Sequence, residues 1–284
     1  EMNKVEVCNL LLTRRINVNA KNNQKRSALM LAAQKGHKKV CELLLKNGAD
    51  INAIENNGAT ALTFAACMGN KEVCEFLLEK GADINYSNSF SPLIAAIASS
   101  HIDICEFLID RAANVNVALE GTGWTPLMVS SAKGQVEICQ LLLKKGAKLD
   151  KKDHKGYTAL MHAAENGQKM TCEMILKEDK LSVADIKDAL ISAESNNHEN
   201  IVKLLSDTIS KMDDQNSEEE EEKNIPKEAS NGGVSNIISI NDKFEQDQGI
   251  EIPNMPILES ASNPSSTPAE SDELANLTHK IPST

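Results

Sequence analysis

Two stretches of the chain, KKVCELLLKNGADIN at residues 38–52 and KEVCEFLLEKGADIN at residues 71–85, repeat each other, with Lys71 standing where Lys38 stood. The same period runs further, because six of the seven cysteines recur at sequence spacings of 33, 33, 31, 34 and 33. These six are Cys8, Cys41, Cys74, Cys105, Cys139 and Cys172. A fixed period of this length indicates stacked supersecondary units, each of which buries its apolar face only against its neighbours.

A second block recurs with the same period and marks the start of a short helix. It consists of Ser or Thr, then Ala or Pro, then Leu, and stands at residues 27–30, 60–63, 91–94, 125–128 and 158–161, with a weaker copy at 188–191. The hydroxyl residue is a typical N-cap, and small pairs such as Ala32-Ala33 keep the helix thin. The leucine cluster that follows each periodic cysteine predicts the apolar face of a second helix. Gly48 and Gly81 follow that helix, where a left-handed residue is expected.

The complete pattern resembles the ankyrin repeat, whose signature is Thr-Pro-Leu-His-x-Ala-Ala with a period of about 33 residues. The resemblance covers about residues 4–208. It implies an all-α fold, a helical solenoid of paired antiparallel helices joined by hairpin-like loops, here called fingers. The histidine of the signature is replaced in the five clear copies by Met30, Thr63, Ile94, Met128 and Met161. We therefore expect apolar packing in place of the hydrogen bonds that this histidine makes in the family.

The copies divide the chain into eight segments. Residues 1–23 form a partial first repeat, and five full repeats cover 24–56, 57–88, 89–121, 122–155 and 156–186. A degenerate capping repeat at 187–212 follows, and residues 213–284 form a tail.

The tail differs from the repeats in charge and composition. Residues 1–212 carry 26 Lys and Arg against 25 Asp and Glu, a net charge of +1, whereas residues 213–284 carry 4 Lys against 16 Asp and Glu, a net charge of −12. Six of the eight prolines also lie in the tail. Such a segment buries too little apolar surface to offset its ordering entropy, so we expect it to be disordered. Ser217, which precedes the acidic run 218–222, and Thr267, which precedes Pro268, resemble phosphorylation sites.

Several classes of function are disfavoured by the sequence. No apolar run approaches the ~18 residues of a membrane span, and no signal peptide is visible, so we expect no membrane insertion. The chain carries no recognisable catalytic, phosphate-binding or metal-binding motif, so we expect a non-enzymatic protein without cofactor or metal. The near-neutral repeats argue against nucleic acid as the ligand. We expect a monomer.

The cysteines and histidines have a structural explanation. Equivalent cysteines of stacked repeats lie about 10 Å apart, beyond the ~7 Å limit between the Cα atoms of a disulfide. We therefore expect all six to be buried and reduced, as in an intracellular protein of the cytoplasm or nucleus. His37, His101 and His198 share one position at the turn between the two helices of a repeat, which indicates a structural capping role.

The resemblance implies a protein partner that binds to the fingers and to the exposed edge of the first helices. The residue before each capping Ser or Thr lies at a finger base, and in successive repeats it is Arg26, Ala59, Phe90, Trp124 and Tyr157, with Tyr86 on a neighbouring finger. We expect the aromatic residues to be exposed anchors for the partner. The alternative is that each ring packs against the neighbouring finger. The pairs after Ala-Ala add Cys67, Met68 and Lys133 to the predicted binding surface, with Cys67 as the one accessible thiol.

The sequence thus favours a protein-interaction scaffold or adaptor. Three alternatives stay open: an inhibitor-type signalling regulator with an acidic regulatory tail, the targeting part of a longer enzyme, and a secreted microbial effector.

Overall fold

The computed structural model describes the backbone at residues 2–14, 16–86, 90–178 and 181–223, and the side chains within those ranges from Val5 to Asp213. These residues form thirteen α-helices. They are α1 (Met2–Thr13), α2 (Ala28–Gln34), α3 (Lys38–Lys46), α4 (Ala61–Cys67), α5 (Lys71–Glu79), α6 (Pro92–Ala98), α7 (Ile102–Asp110), α8 (Pro126–Ala132), α9 (Val136–Lys144), α10 (Ala159–Glu165), α11 (Lys169–Ile175), α12 (Val183–Ser195) and α13 (Glu199–Lys223). In the described ranges, the only β-structure recorded is an isolated bridge between Lys21 and Ser27.

The helices form two layers of an elongated stack. Each short first helix contacts its own second helix, and it also contacts the first helix of the next repeat, in the order α2, α4, α6, α8, α10 and α12. The second helices form the other layer, from α1 through α3, α5, α7, α9 and α11 to α13. The all-α solenoid predicted from the period is confirmed.

The first helices begin where the sequence predicts, because their capping hydroxyls are in place. The side-chain oxygens of Ser27, Thr60, Ser91, Thr125 and Thr158 each accept a hydrogen bond from the backbone N–H three residues later, at 3.2–3.3 Å. In three repeats a methionine sulfur returns the bond and accepts from the backbone N–H of the capping residue at 3.3–3.4 Å. The residues at the histidine position therefore have a polar role as well as the expected apolar one.

The core is a narrow ladder of small and branched side chains. Leu29, Leu62, Leu93, Leu127 and Leu160, at equivalent positions of the five blocks, are all buried. Five of the periodic cysteines are buried and free, but Cys8 is only half-buried, so the expectation that all six are buried is wrong. The reason is that Cys8 lies on α1, which packs against α3 on one side and has Val7, Leu10 and Leu11 exposed.

In four units, a side chain at the turn between the two helices connects the repeat to the preceding one. Asn70 donates to the carbonyls of Ala33 and Gln34 at 2.9 and 3.0 Å, and Gln135 donates to Ile97 at 2.9 Å. His101 and His198 use Nε2 in the same way, toward Cys67 at 3.0 Å and Glu165 at 2.8 Å. These two histidines therefore cap the end of the preceding first helix, which satisfies carbonyls that have no partner within that helix.

Asparagines in the loops form a second connection between repeats. Asn19, Asn85 and Asn116 each accept from a backbone N–H of the next loop at 2.8–2.9 Å and donate to a carbonyl there at 3.0–3.3 Å. Asn52 accepts from the Asp83 N–H at 3.0 Å. The fingers are thus held at their bases and bonded to their neighbours.

The last helix pair differs from the prediction. α12 begins at Val183 instead of near 187, because the Ser182 hydroxyl oxygen caps it by accepting from the Asp185 N–H at 3.1 Å. α13 continues to Lys223, so residues 213–223 are helical where a disordered tail was expected. Buried Ile201 and Leu205 anchor its first turns, and glutamate is a good helix former that extends it. Residues 224–284 of the predicted tail lie outside the described residues.

Candidate protein-interaction site

The candidate site, called the finger face below, comprises the finger tips and the residues that end the first helices. The tips are built by side chains that accept from their own turn. Asp153 Oδ1 accepts from the N–H groups of Lys155 and Tyr157, both at 2.9 Å, and Asn22 Oδ1 accepts from those of Gln24 and Arg26 at 3.0 and 2.9 Å.

Neighbouring fingers are also bonded to each other along the row. The His154 N–H donates to the Thr122 carbonyl at 2.9 Å, and the Asn56 N–H donates to the Gln24 carbonyl at 3.3 Å. These two pairs of fingers are therefore bonded turns instead of separate loops.

The structure corrects the prediction that the aromatic residues at the finger bases are exposed. Phe90 and Trp124 are each only 4% exposed. The Trp124 ring lies against His162, with 4.1 Å between ring centroids, and half-buried Tyr157 lies on the same histidine at 5.5 Å. Arg26 occupies the equivalent place over Phe64, with its guanidinium 5.0 Å from the ring centroid. In these two cases the finger-base residue covers the fourth residue of the first helix in the following repeat. For Phe90 and Trp124 the alternative that the ring packs inside the stack is therefore correct.

His162 belongs to a buried polar pair that the sequence did not reveal. Its Nε2 lies 2.9 Å from Asp153 Oδ2, and both side chains are 1% exposed. Nδ1 faces Glu165 at 3.7 Å and has no hydrogen-bond partner among the described residues. Since Asp153 also builds the finger turn, the pair joins this finger to the core of the next helix. The sequence feature that could have indicated this pair is the histidine itself, because the equivalent positions of the other repeats hold the apolar residues Leu31, Phe64, Ala95 and Val129.

The apolar part of the finger face lies in its middle. Tyr86 is 50% exposed on the third finger and Ile54 is 43% exposed on the second. Met68 and Cys67 are half-buried at the end of α4. The Cys67 sulfur lies 3.3 Å from the Ser99 hydroxyl, and burial raises the pKa of the Cys67 thiol although this hydrogen bond lowers it. Cys67 is therefore reachable but weakly nucleophilic.

The two ends of the finger face are basic. Lys25 and Lys35 are exposed at one end, and Lys133 and Lys155 at the other, and none of the four forms an ion pair with another described residue. The acidic residues of two fingers are turned inward instead, because Glu55 and Asp153 are buried in their own turns. Exposed Glu120 and half-buried Glu165 are the carboxylates that remain at the second basic end.

The described surface offers shallow clefts away from the finger face. A cleft of about 370 Å³ lies on the outer layer between α3 and α5, lined by residues that include Leu45, Ile51 and Phe76. Among residues 2–14, 16–86, 90–178 and 181–223, no group of three His, Cys, Asp or Glu is placed to hold a metal ion. None of the described helices combines the length and the apolar character that crossing a bilayer requires.

Comparison with known families agrees with this geometry. The family model described as ankyrin repeats matches the chain in three copies, over residues 1–88, 86–153 and 148–217. The chain belongs to the ankyrin-repeat family. No curated protein matches it. As an ankyrin-repeat protein it carries a type of module that generally mediates protein–protein interaction.

The remaining predicted site residues of this ankyrin-repeat protein are placed as follows. Arg26, Cys67, Met68 and Lys133 all lie on the finger face, and Tyr86 is its most exposed aromatic side chain in the described range. Ser217 falls within helix α13, and Thr267 lies outside the described residues. Their phosphorylation stays a prediction.

Proposed function

We propose that the chain is a non-enzymatic scaffold or adaptor that binds a protein partner on the finger face. One observation supports this most directly. The positions that pack keep one residue type through the repeats, such as the five buried leucines and the buried cysteines, whereas the exposed or half-buried residue that follows each first helix varies between lysine, methionine, serine and asparagine. That residue is in turn Lys35, Met68, Ser99, Lys133 and Asn166. A position whose residue type the stack does not fix is available for contact with a ligand.

The chemistry of the face indicates the kind of partner. An apolar centre formed by exposed Tyr86 and Ile54 and half-buried Met68 suits apolar side chains, because tyrosine and methionine are common at protein interfaces. The lysines on both sides, which form no ion pair with another described residue, suit acidic residues and increase the rate of encounter with them. We therefore propose a partner segment that is apolar at its centre and acidic at its flanks, and a compartment that keeps the five buried thiols reduced.

The test compares two lysines of the same repeat. Lys133 lies on the finger face and Lys144 ends α9 in the outer layer, and both are exposed. A partner captured with the full chain is titrated against the variants Lys133→Glu and Lys144→Glu. We expect Lys133→Glu to weaken binding by about 10-fold at low salt and Lys144→Glu to leave it unchanged. Equal effects of the two variants would reject the finger face as the binding surface.

A second, independent variant removes the apolar anchor. Tyr86→Ala truncates an exposed ring with little expected cost in stability, so a loss of affinity reports on contact with the partner. Truncating an aromatic anchor commonly costs more than about 1 kcal/mol, which corresponds to at least about 5-fold in affinity. Unchanged affinity would place the interface elsewhere.

A further inference from the structure

We propose that residues 242–259 of the chain itself occupy the finger face when no partner is bound. The inference rests on the proposed function, since it concerns the same face. It makes the acidic tail a competitor of the partner, and it deepens the proposal by adding regulation in cis.

The segment has the composition that the finger face suits. It reads DKFEQDQGIEIPNMPILE. Asp242, Glu245 and Asp247 come first, with Lys243 and Phe244 among them. The apolar residues Ile250, Ile252, Met255, Ile257 and Leu258 are concentrated later, with Glu251 between the first two. Glu259 then ends it.

The same order of chemistry is found along the finger face, starting from the end where the tail leaves. Lys155 and Lys133 come first, beside α10 and α8. The apolar centre at Tyr86 and Met68 follows near α6 and α4, and Lys35 ends α2 at the far side. An acidic, then apolar, then acidic segment therefore meets complementary groups in sequence if it runs antiparallel to the order of the repeats.

The spacing also agrees. Packed helices lie about 10 Å apart, so Lys133 at α8 and Met68 at α4, two steps away, are separated by roughly 20 Å. From Asp247 to Met255 an extended chain spans about 26 Å. One further helix step of about 10 Å leads from Met68 to Lys35. The extended chain from Met255 to Glu259 covers that step, because it spans about 13 Å.

The chain outside the described residues is long enough to reach the face. Second helices end on the finger side, and α13 has 25 residues where α9 has 9, so it extends beyond its neighbours by about 24 Å toward the fingers. From α12 to α8 the lateral distance is two helix steps, about 20 Å. Residues 224–241 span up to about 59 Å when extended, which exceeds both distances combined.

The contact would be weak enough to be displaced. Each exposed ion pair contributes little and is screened within about 8 Å at physiological salt. Attachment to the same chain compensates, because it gives the segment an effective concentration in the millimolar range. A partner with a better apolar fit can therefore replace the segment.

The first test is zero-length cross-linking of the full chain, in which a carbodiimide joins a lysine amine to a carboxylate. We expect amide links from Lys133 and Lys155 to the acidic residues of 242–251 in monomeric protein at low salt, reduced several-fold at high salt. The internal controls are the later acidic residues 270–273 and the outer-layer lysines Lys38 and Lys71. Links spread evenly over these controls, or links confined to dimers, would overturn the proposal.

The second test measures competition. The variant Asp242→Asn/Glu245→Gln/Asp247→Asn/Glu251→Gln is compared with a matched variant that neutralises four other tail carboxylates, Glu228→Gln/Glu270→Gln/Asp272→Asn/Glu273→Gln. We expect the first to raise partner affinity about 5-fold or more at low salt and the second to leave it unchanged. Equal effects would overturn the proposal.

The two proposals fail in distinguishable ways. If Lys133→Glu still weakens partner binding while no specific cross-links form, the tail does not dock and the proposed function stands. If cross-links to Lys133 form but Lys133→Glu leaves the affinity for the partner unchanged, the tail docks on the finger face and the partner binds elsewhere.

Discussion

Replacing Trp124 by alanine tests the reassignment of the finger-base aromatics from exposed anchors to packed residues. The ring is 4% exposed, and a tryptophan buries about 200 Å², which corresponds to about 5 kcal/mol at about 25 cal/mol per Å². Residual burial in the unfolded chain lowers this figure to about 3–4 kcal/mol. We therefore expect Trp124→Ala to lower the free energy of unfolding by about 3–4 kcal/mol and the melting temperature by about 10 °C.

The loss should be concentrated where the ring packs. Truncation removes the contact at 4.1 Å from His162 and admits water to the buried pair with Asp153. Hydrogen exchange should therefore accelerate more in α10 than in α4. Chemical denaturation followed by far-ultraviolet circular dichroism is the suitable assay, because Trp124 is the single tryptophan and its fluorescence is lost with the substitution.

Tyr86→Ala is the matched control, since this ring is 50% exposed and its removal should change stability by less than about 0.5 kcal/mol. A loss below about 1 kcal/mol for Trp124→Ala would refute the packing described above. Partner affinity measured on both variants completes the comparison, with the larger effect on binding expected for Tyr86.

Three further outcomes follow from the connections between repeats and from the thiols. Gly167→Ala should destabilise the protein more than Gly146→Ala in denaturant titrations. Both glycines have positive φ, at +71° and +88°, but only at Gly167 would a Cβ approach a histidine of the next repeat, at 2.9 Å. Equal losses of unfolding free energy in the two variants would contradict this. Asn116→Ala should cost about 1–2 kcal/mol because two hydrogen bonds to the next loop are lost, whereas an unchanged midpoint would show that water replaces them. In thiol titration of the native protein, half-buried Cys8 and Cys67 should react, whereas the other five cysteines should react only after unfolding. Burial raises the pKa of these five thiols, to about 12 in four of them. Fast reaction of all seven cysteines in the native protein would contradict the described core.

The stack itself was predictable because its rules are local. A capping hydroxyl at Thr60, a leucine two residues later and a cysteine at each period specify two short helices and their buried faces within one repeat. Repetition then fixes how one repeat packs on the next, so the repeated pattern and its resemblance to the ankyrin repeat predicted the paired helices and five of the six periodic cysteines correctly.

The exposure of the finger-base residues was not predictable in the same way. Whether Trp124 is buried depends on His162 in the next repeat, and the pair with Asp153 depends on a finger between them. Such contacts join residues whose identities change from repeat to repeat, so the period carries no information about them. The length of α13 was not predicted for another reason. An acidic run is typical of disordered segments, but glutamate is also a good helix former and extends a helix that is anchored at its start.

The hydrogen bonds from turn residues to the preceding repeat have a consequence for the duplication and deletion of whole repeats. Asn70, His101, Gln135 and His198 differ in size and chemistry, yet each donates to carbonyls at the end of the first helix before it. In all four contacts the acceptor is a main-chain carbonyl, which does not depend on the side chain of the residue that carries it. A duplication or deletion of one whole unit therefore brings a new donor to an equivalent acceptor, with no matched change needed in the neighbour. Recombination at whole-unit boundaries thus leaves this contact intact, whereas a break inside a unit removes it.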